Sequence, residues 1–354
     1  MKLLSLCDPT RYARPPLDVP TFYQHLARDA RVTLYHMPAP QVFNTALPTV
    51  KVFPAAGELT YGDFVALGEG TPVQVSLAEM DVVFCRTLKP FADGYLDALT
   101  RWESLTRFVN RPSGKQVQMR SDFLPAVARD YMPETVVTND CRVAIEFFEA
   151  HQTIVAKRAN SCGGRGVFKI WYEGGVYCVD NVLTGVGTFA QFSDVMRFLR
   201  LGQQAPIQFC RFLARTDQGD KRVVVVDGEI YGSYIRRSKS GHWVNNVSRD
   251  GLCQLAPIGD DERAAIAHTV HHYQSLGLHT LGYDFLMDND GTWRISEINA
   301  GNIGGFARLE LLTGEPVMDR LLDWLFDYAQ RSPSESLLSE VGTTALPEKT
   351  LSVA

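Results

Sequence analysis

The apolar runs of this chain change character along its length, and that change limits the folds open to it. Over the first 110 residues they are short and isolated, at 2–7, 32–36, 81–85 and 107–110, with helix-like segments at 21–29 and 94–104. Short apolar strands separated by helices predict a parallel sheet. The first strand meets Asp8 and Pro9 within ten residues. It reads as a buried strand ending at a turn rather than as a secretory leader, which needs a longer apolar stretch.

Beyond Arg111-Pro112 hairpins take over. A helix over 120–129 leads to Pro133-Glu134-Thr135 and a strand. Residues 141–150 read as a helix, 152–157 as a strand feeding a glycine-rich loop, and 168–171 with 176–179 as a hairpin around Glu173-Gly174-Gly175. After 207–213, the run 223–226 turns at Asp227-Gly228 into 229–235, a clear hairpin signal. Residues 262–276 have helical periodicity, 280–287 and 293–298 are strands joined by Asp288-Asn289-Asp290-Gly291, and 317–328 is an amphipathic closing helix. The fold class is α/β, passing to α+β in the C-terminal half. Four segments follow: 1–112, an N-terminal α/β unit; 113–205, a small unit with the glycine-rich loop; 206–330, a larger unit; and 331–354, a loose tail. A chain of 354 residues suits two or three packed subdomains.

Composition removes several function classes. Net charge is −5, so no global field draws in nucleic acid or an anionic membrane. No apolar run reaches the roughly 18–20 residues that span a bilayer. The seven cysteines are odd in number and scattered, with no Cys-x-x-Cys pair, which argues for a reducing cytosol and against a disulfide framework or zinc knuckle.

Three constellations carry chemistry. Lys157 ends a strand and is followed by Asn160-Ser161-Cys162-Gly163-Gly164-Arg165-Gly166. Such a loop lets backbone N–H groups approach phosphate oxygens while the lysine supplies a point charge. It is neither a Walker loop nor a dinucleotide fingerprint, and a tight hairpin is the alternative. Next, Asp284 lies on one strand and Glu297 and Asn299 on the following one. Glu297 and Asn299 share a face by period two, and Asp284 can lie opposite them, giving a hard all-oxygen set suited to Mg²⁺. The alternative is a solvated acidic face. Against it stand Tyr283, Phe285, Ile295 and Ile298, which imply half-buried strands where unneutralised carboxylates would repel. Lastly, Gly219-Asp220-Lys221-Arg222 and Arg236-Arg237 place cations on two hairpin strands, either for phosphates and carboxylates or as an exposed basic turn. Asn245, Asn246 and Arg249 follow in a polar loop.

Taken in order, these residues resemble the prokaryotic glutathione synthetases, ATP-grasp ligases. The likeness begins at Cys7-Asp8-Pro9 and runs through Thr21-Phe22, Arg86 with Pro90-Phe91, Asn110 and Pro112, Pro133-Glu134-Thr135, and Lys157 with Gly163-Gly164. Its most specific part is Gly219-Asp220-Lys221-Arg222-Val223 with Val225-Val226-Asp227-Gly228-Glu229, followed by Asn246, Gly282, Asp284 and Glu297-Ile298-Asn299. The resemblance implies an ATP-grasp fold behind an N-terminal parallel-sheet domain.

It also implies roles. Lys157, Asp220 and the flap Gly163, Gly164, Arg165 and Gly166 would meet ATP. Cys210, Arg211, Phe212 and Leu213 would line the adenine pocket. A second nucleotide lysine has its counterpart in Arg120 or Lys115, a choice that a short length difference leaves open. Asp284, Glu297 and Asn299 would hold Mg²⁺, two ions with Mn²⁺ as a substitute. Arg222, Arg237 and Asn246 would face the acyl phosphate, and Arg86, Asn302 and Gly304 the substrate. The implied partners are a small carboxylate and an amine, amino acid or peptide, with a homo-oligomer as the family habit. The chain departs from the family pattern at Ala300-Gly301-Asn302-Ile303-Gly304-Gly305 and at Ser238-Lys239-Ser240-Gly241-His242-Trp243, both on the substrate side. The implied reaction is amide formation through an acyl phosphate, with γ-glutamylcysteine and glycine as the family default. Other amino-acid or peptide ligases, a small-molecule kinase and a non-catalytic nucleotide-binding scaffold stay open. Cys162 reads as an incidental small residue because no histidine neighbours it.

Overall fold

The computed structural model describes residues 1–12, 18–161, 163–239, 241–245, 252–301 and 303–331. The proposed tail lies outside them, apart from Arg331. Three sheets follow one another along the chain. The first is built from β1 (Lys2–Cys7), α1 (Asp18–Arg28), β2 (Thr33–Pro38), β3 (Thr49–Ala55), α2 (Tyr61–Ala66), β4 (Val73–Ser76), β5 (Val82–Cys85), α3 (Tyr95–Thr100) and β6 (Phe108–Val109), in strand order β4-β3-β2-β1-β5-β6. Pairs β2–β1, β1–β5 and β5–β6 are parallel, as the spacing predicts. At one end of the sheet β3 and β4 run antiparallel to their neighbours, an addition that the sequence reading did not anticipate.

The helix expected over 120–129 is shorter, α5 (Phe123–Ala128), and is preceded by α4 (Pro112–Gln118), which the sequence reading did not anticipate. Proline at the first position of α4 is compatible with a helix start, since its missing N–H would be unpaired there anyway. The chain breaks between them at Met119–Asp122, where Arg120 turns back to Asp122. Next come β7 (Thr135–Thr138), α6 (Cys141–His151), β8 (Ile154–Lys157), β9 (Val167–Glu173), β10 (Val176–Asn181), β11 (Gly185–Phe189), α7 (Phe192–Arg200) and β12 (Ile207–Arg211). They make an antiparallel sheet of order β11-β10-β9-β8-β12-β7. β12, read from sequence as the start of the larger unit, pairs between β8 and β7 in this second sheet.

The third sheet, β15-β14-β13-β16-β17, is antiparallel throughout. Its elements are β13 (Asp220–Val226), β14 (Glu229–Arg237), β15 (Leu252–Leu255), α8 (Asp260–Gln274), β16 (Thr280–Met287), β17 (Trp293–Asn299), α9 (Phe306–Thr313) and α10 (Val317–Gln330). Alternation along β13 sorts its side chains. Val223 and Val225 join Ala265, Tyr273 and Phe285 in the core under α8, and Ala128 of α5 packs there too. Val224 and Val226 face the other way, into a core shared by α1, α9, α10 and the first sheet. Asp220 and Arg222 continue that second face beyond the apolar core, which is how one strand carries both a core and a polar site. Among the described residues no helix is long and apolar enough to cross a membrane.

Candidate active site

A cleft separates the second and third sheets. Its inner half, about 840 Å³ including the open mouth, has Val155, Lys157 and Val167 on one wall and Leu286, Ile295 and Glu297 on the other. Cys210, Arg211, Phe212 and Leu213 line it where the chain passes from one sheet to the next. A second chamber of about 830 Å³ adjoins it, lined by Arg120, Lys157, Asn160, Gly163, Gly164 and Glu297 among others. Lys157, Val167, Ser296 and Glu297 border both chambers.

Two irregularities in strand pairing aim the charged side chains. Along β13–β14 the register shifts between Val224 and Val225, so that Arg222 pairs with Tyr234 and Asp220 with Arg236. A regular ladder from the Asp227-Gly228 turn would have put Arg222 opposite Ser233, and Arg237 on its face. The extra residue moves Arg236 there and turns Arg237 to the opposite face. Gly232, at φ 152, sits at this bulge. Along β16–β17 a second shift sets Asp284 opposite Glu297 and leaves Ser296 as the extra residue. The side chain of Lys157 reaches across the cleft and donates to the Ser296 carbonyl (2.6 Å) and hydroxyl (3.1 Å).

Asp284 is the hub. Arg222 donates to both its oxygens (2.6 and 2.8 Å), Arg236 to Oδ1 (2.7 Å) and Asn299 Nδ2 to Oδ2 (3.0 Å). Arg236 also donates to Asp220 (2.7 Å). Burial alone would raise the pKa of Asp284, but Arg222 and Arg236 outweigh it and hold the group below its ordinary value. Asp220 goes the other way, up to about 6: burial and the Asp284 charge together outweigh Arg236. Glu297 makes no hydrogen bond or ion pair among the described residues, although it lines both chambers.

The donor set fits a small hard cation. No cluster of three His, Cys, Asp or Glu side chains converges among the described residues. The set is two carboxylates, paired across β16–β17, plus an amide. Four donors fill all four lone-pair positions of Asp284. A half-turn of the Asn299 amide would free one of them and present Oδ1 in its place. Asp284, Glu297 and Asn299 therefore suit Mg²⁺ in ligand type.

The flap is braced from below. Gly163 (φ 63) and Gly164 (φ 75) adopt left-handed backbone that glycine alone takes freely. Asn181 at the end of β10 donates to the carbonyls of Gly164, Arg165 and Val167. Asn160 closes the flap's base by exchanging two hydrogen bonds with the Phe91 backbone of the N-terminal domain. Gly166 is confined: a side chain there would strike Ser161 Oγ at 2.2 Å.

Other expected residues lie elsewhere. Arg120 reaches the rim of the second chamber, where it pairs with Asp122, whereas Lys115 is buried against Gly301 outside both chambers. Burial pushes the Lys115 pKa well down. The Arg211 side chain is committed to Glu134 and Asp288, tying β7 to the third sheet. Lys221 points away from the cleft, into an ion pair with Glu262 and over the Trp293 ring. Arg86 is fully buried and lines neither chamber. Its guanidinium lies over Phe84 and Phe22 and finds no hydrogen-bond partner among the described residues. Gly304 does touch the cluster, since its carbonyl accepts from Arg222 (2.9 Å). Asn246, Arg249, Asn302 and Cys162 lie outside the described residues. Sequence reasoning named the Arg236-Arg237 pair but gave the role to Arg237; the structure brings Arg236 to the cluster instead, and Gly232, a glycine inside a strand, is the signal that could have told them apart.

Comparison with known proteins identifies the family and the fold. The sequence matches the family described as prokaryotic glutathione synthetase, ATP-grasp domain, over residues 123–314, more than half of the chain. A glutathione synthetase of Parasynechococcus marenigrum (strain WH8102) is 24% identical over 330 residues, covering 92% of this chain and 99% of its own. Among solved structures, a D-cycloserine synthetase superposes with a TM-score of 0.62 at 13% identity, covering 93% of this chain and 100% of its own. The ATP-grasp ligase PsnB, complexed with a phosphomimetic variant of its minimal precursor, Mg and ADP, superposes at 0.55 with 15% identity, covering 93% and 98%. The sheet pair, the cleft between them and the sequence match lead to one assignment: the chain belongs to the prokaryotic glutathione synthetase family of ATP-grasp ligases.

Proposed function

We propose that this protein is an ADP-forming carboxylate–amine ligase that joins two amino-acid or peptide substrates through an acyl phosphate. The observation that carries the reading is the meeting of Lys157, Asp284 and Glu297 in one cleft between two sheets, with Arg222 and Arg236 both bonded to Asp284. In this reading a substrate carboxylate attacks the γ-phosphorus of ATP, ADP leaves, and an amine then displaces phosphate from the acyl carbon. Charge neutralisation and positioning are the protein's tasks. Lys157 exchanges its Ser296 contact for phosphate oxygens, and the glycine flap covers them, excluding the water that would hydrolyse the acyl phosphate. Arg222 and Arg236 offer cations to the reacting carboxylate and phosphoryl oxygens, while Asp284 fixes their orientation. Asp284, Glu297 and Asn299 would hold Mg²⁺, which when bound shields the phosphate charge from the incoming carboxylate. The PsnB complex with Mg and ADP, on the same fold, supports the nucleotide reading.

The first substrate pair to test is γ-glutamylcysteine and glycine. Other acid and amine pairs form the second reading. It is favoured by the departure of the sequence at 300–305 from the family pattern, in a segment whose Gly304 carbonyl accepts from Arg222. The assay is ADP release with Mg-ATP and γ-glutamylcysteine, with and without glycine, and products read by mass spectrometry. Glutathione would establish the first reading. Amides formed only from other pairs in a panel would establish the second. ADP formed with a phosphorylated hydroxyl product would overturn both in favour of a kinase.

A further inference from the structure

The residues His242–Asn245 follow β14 of the third sheet and reach the second sheet at the mouth of the cleft. Trp243 Nε1 donates to Asp180 Oδ2 on β10 (2.5 Å). His242 Nε2 lies 3.5 Å from the same oxygen, and its ring stacks on the indole at 5.6 Å. The indole also meets Phe212 edge to face, with ring centres 6.1 Å apart. Lys169 covers Phe212 from β9, its Nζ 4.2 Å from the ring centre. The foot of this strap is pinned: Asn245 accepts from the Ser238 N–H (2.9 Å) and donates to the Thr216 carbonyl (2.8 Å).

Trp243 and Phe212 both line the inner chamber, and neither lines the second chamber, which the flap glycines border. In the reading of the cleft as the ATP site, Lys157 and the flap take the phosphates, which leaves the chamber lined by Trp243 and Phe212 for the base. An indole whose N–H is bonded to a carboxylate is held in one orientation, with its ring free to pack against another flat ring. Asp180 also adjoins Asn181, which carries three flap carbonyls. One strand end therefore supports both the strap and the flap.

We propose that Trp243 is the aromatic wall of the nucleotide site, clasped across the cleft by Asp180, and that it sets the preference for a purine base. The proposal rests on the reading of the cleft as the ATP site. Phe212 closes the adjoining side, and Asp180 acts as a positioning residue through Trp243.

The test measures calorimetric Kd values for Mg-ADP, Mg-CDP and Mg-tripolyphosphate with the wild type, Trp243→Ala, Trp243→Phe and Asp180→Ala. Loss of one base–aromatic contact weakens Mg-ADP about tenfold in Trp243→Ala, and weakens Mg-CDP less. Tripolyphosphate, which has no base, binds as in the wild type. Trp243→Phe stays within about threefold of the wild type because it keeps a ring, and Asp180→Ala falls between the two. Unchanged Mg-ADP binding in Trp243→Ala overturns the proposal. So does an equal loss of ADP and tripolyphosphate, which would mean a collapsed site. A wild type that binds tripolyphosphate but no nucleotide overturns the nucleotide reading itself, a result separable from either.

Discussion

Replacing Arg236 by methionine tests how the site holds three carboxylates in so small a space. The guanidinium bonds Asp220 and Asp284 at 2.7 Å each, on a buried face of the third sheet. Methionine keeps much of the volume and removes the charge. Breaking a buried pair from one side costs about 3–5 kcal/mol, because the partner charge is left uncompensated. The pH dependence makes this specific. Asp220 has its folded pKa raised from 3.8 to about 6 by burial and by the Asp284 charge. A raised carboxylate favours the folded state below its unfolded pKa, and that contribution is lost as pH rises through the folded value. Without Arg236 the folded pKa of Asp220 climbs further, and Asp284 loses one of the two cations that depress it. The variant then takes up protons on lowering pH before the wild type does. The penalty should be largest at pH 8 and shrink by about 1.4 kcal/mol per pH unit per proton on the way to pH 6. Urea unfolding at the two pH values, with m checked for constancy, measures it. A penalty below about 1 kcal/mol, or one as large at pH 6 as at pH 8, would refute the reasoning.

Glu297→Gln should abolish Mg²⁺-dependent ATP turnover while shifting stability by less than about 0.5 kcal/mol, because Glu297 has no protein partner among the described residues to lose; wild-type turnover would sink the metal assignment. Lys157→Met should weaken Mg-ADP by tenfold or more in calorimetry with the fold intact, since its contacts are the two oxygens of Ser296; unchanged affinity would remove it from the phosphate site. Asp18 caps α9 from a distance, accepting from the N–H groups of Gly305 (2.9 Å) and Ala307 (2.8 Å). Asp18→Ala should cost about 1–2 kcal/mol in urea unfolding, and an unchanged midpoint would show that water replaces the cap.

Much of the site was legible because local signals agreed. The Asp288–Gly291 turn bounded β16 and β17, and apolar neighbours around Asp284 and Glu297 marked carboxylates in a half-buried place. Lys157 was found because a strand ends there and glycines follow. The hidden part is parity. Arg236 and Arg237 are adjacent, and which of them faces Arg222 depends on a single extra residue near Gly232. Ser296 plays the same part in β17 and also offers its carbonyl to Lys157. The two choices for the second nucleotide cation were equally hard to separate: Lys115 and Arg120 differ in burial by tertiary packing that no periodicity reports. β12 pairs with strands far earlier in the chain, so its place in the second sheet is a long-range fact. The Asp180–Trp243 contact, 63 residues apart, is another.

Oxygen tracing tests the central claim most directly. A substrate acid carrying ¹⁸O in its carboxylate is turned over with Mg-ATP and the amine, and the phosphate released is analysed by mass spectrometry. If the carboxylate attacks the γ-phosphorus and the amine later displaces phosphate, one ¹⁸O leaves with each phosphate and ADP is the nucleotide product. Phosphate free of label, or AMP in place of ADP, would contradict the acyl-phosphate account.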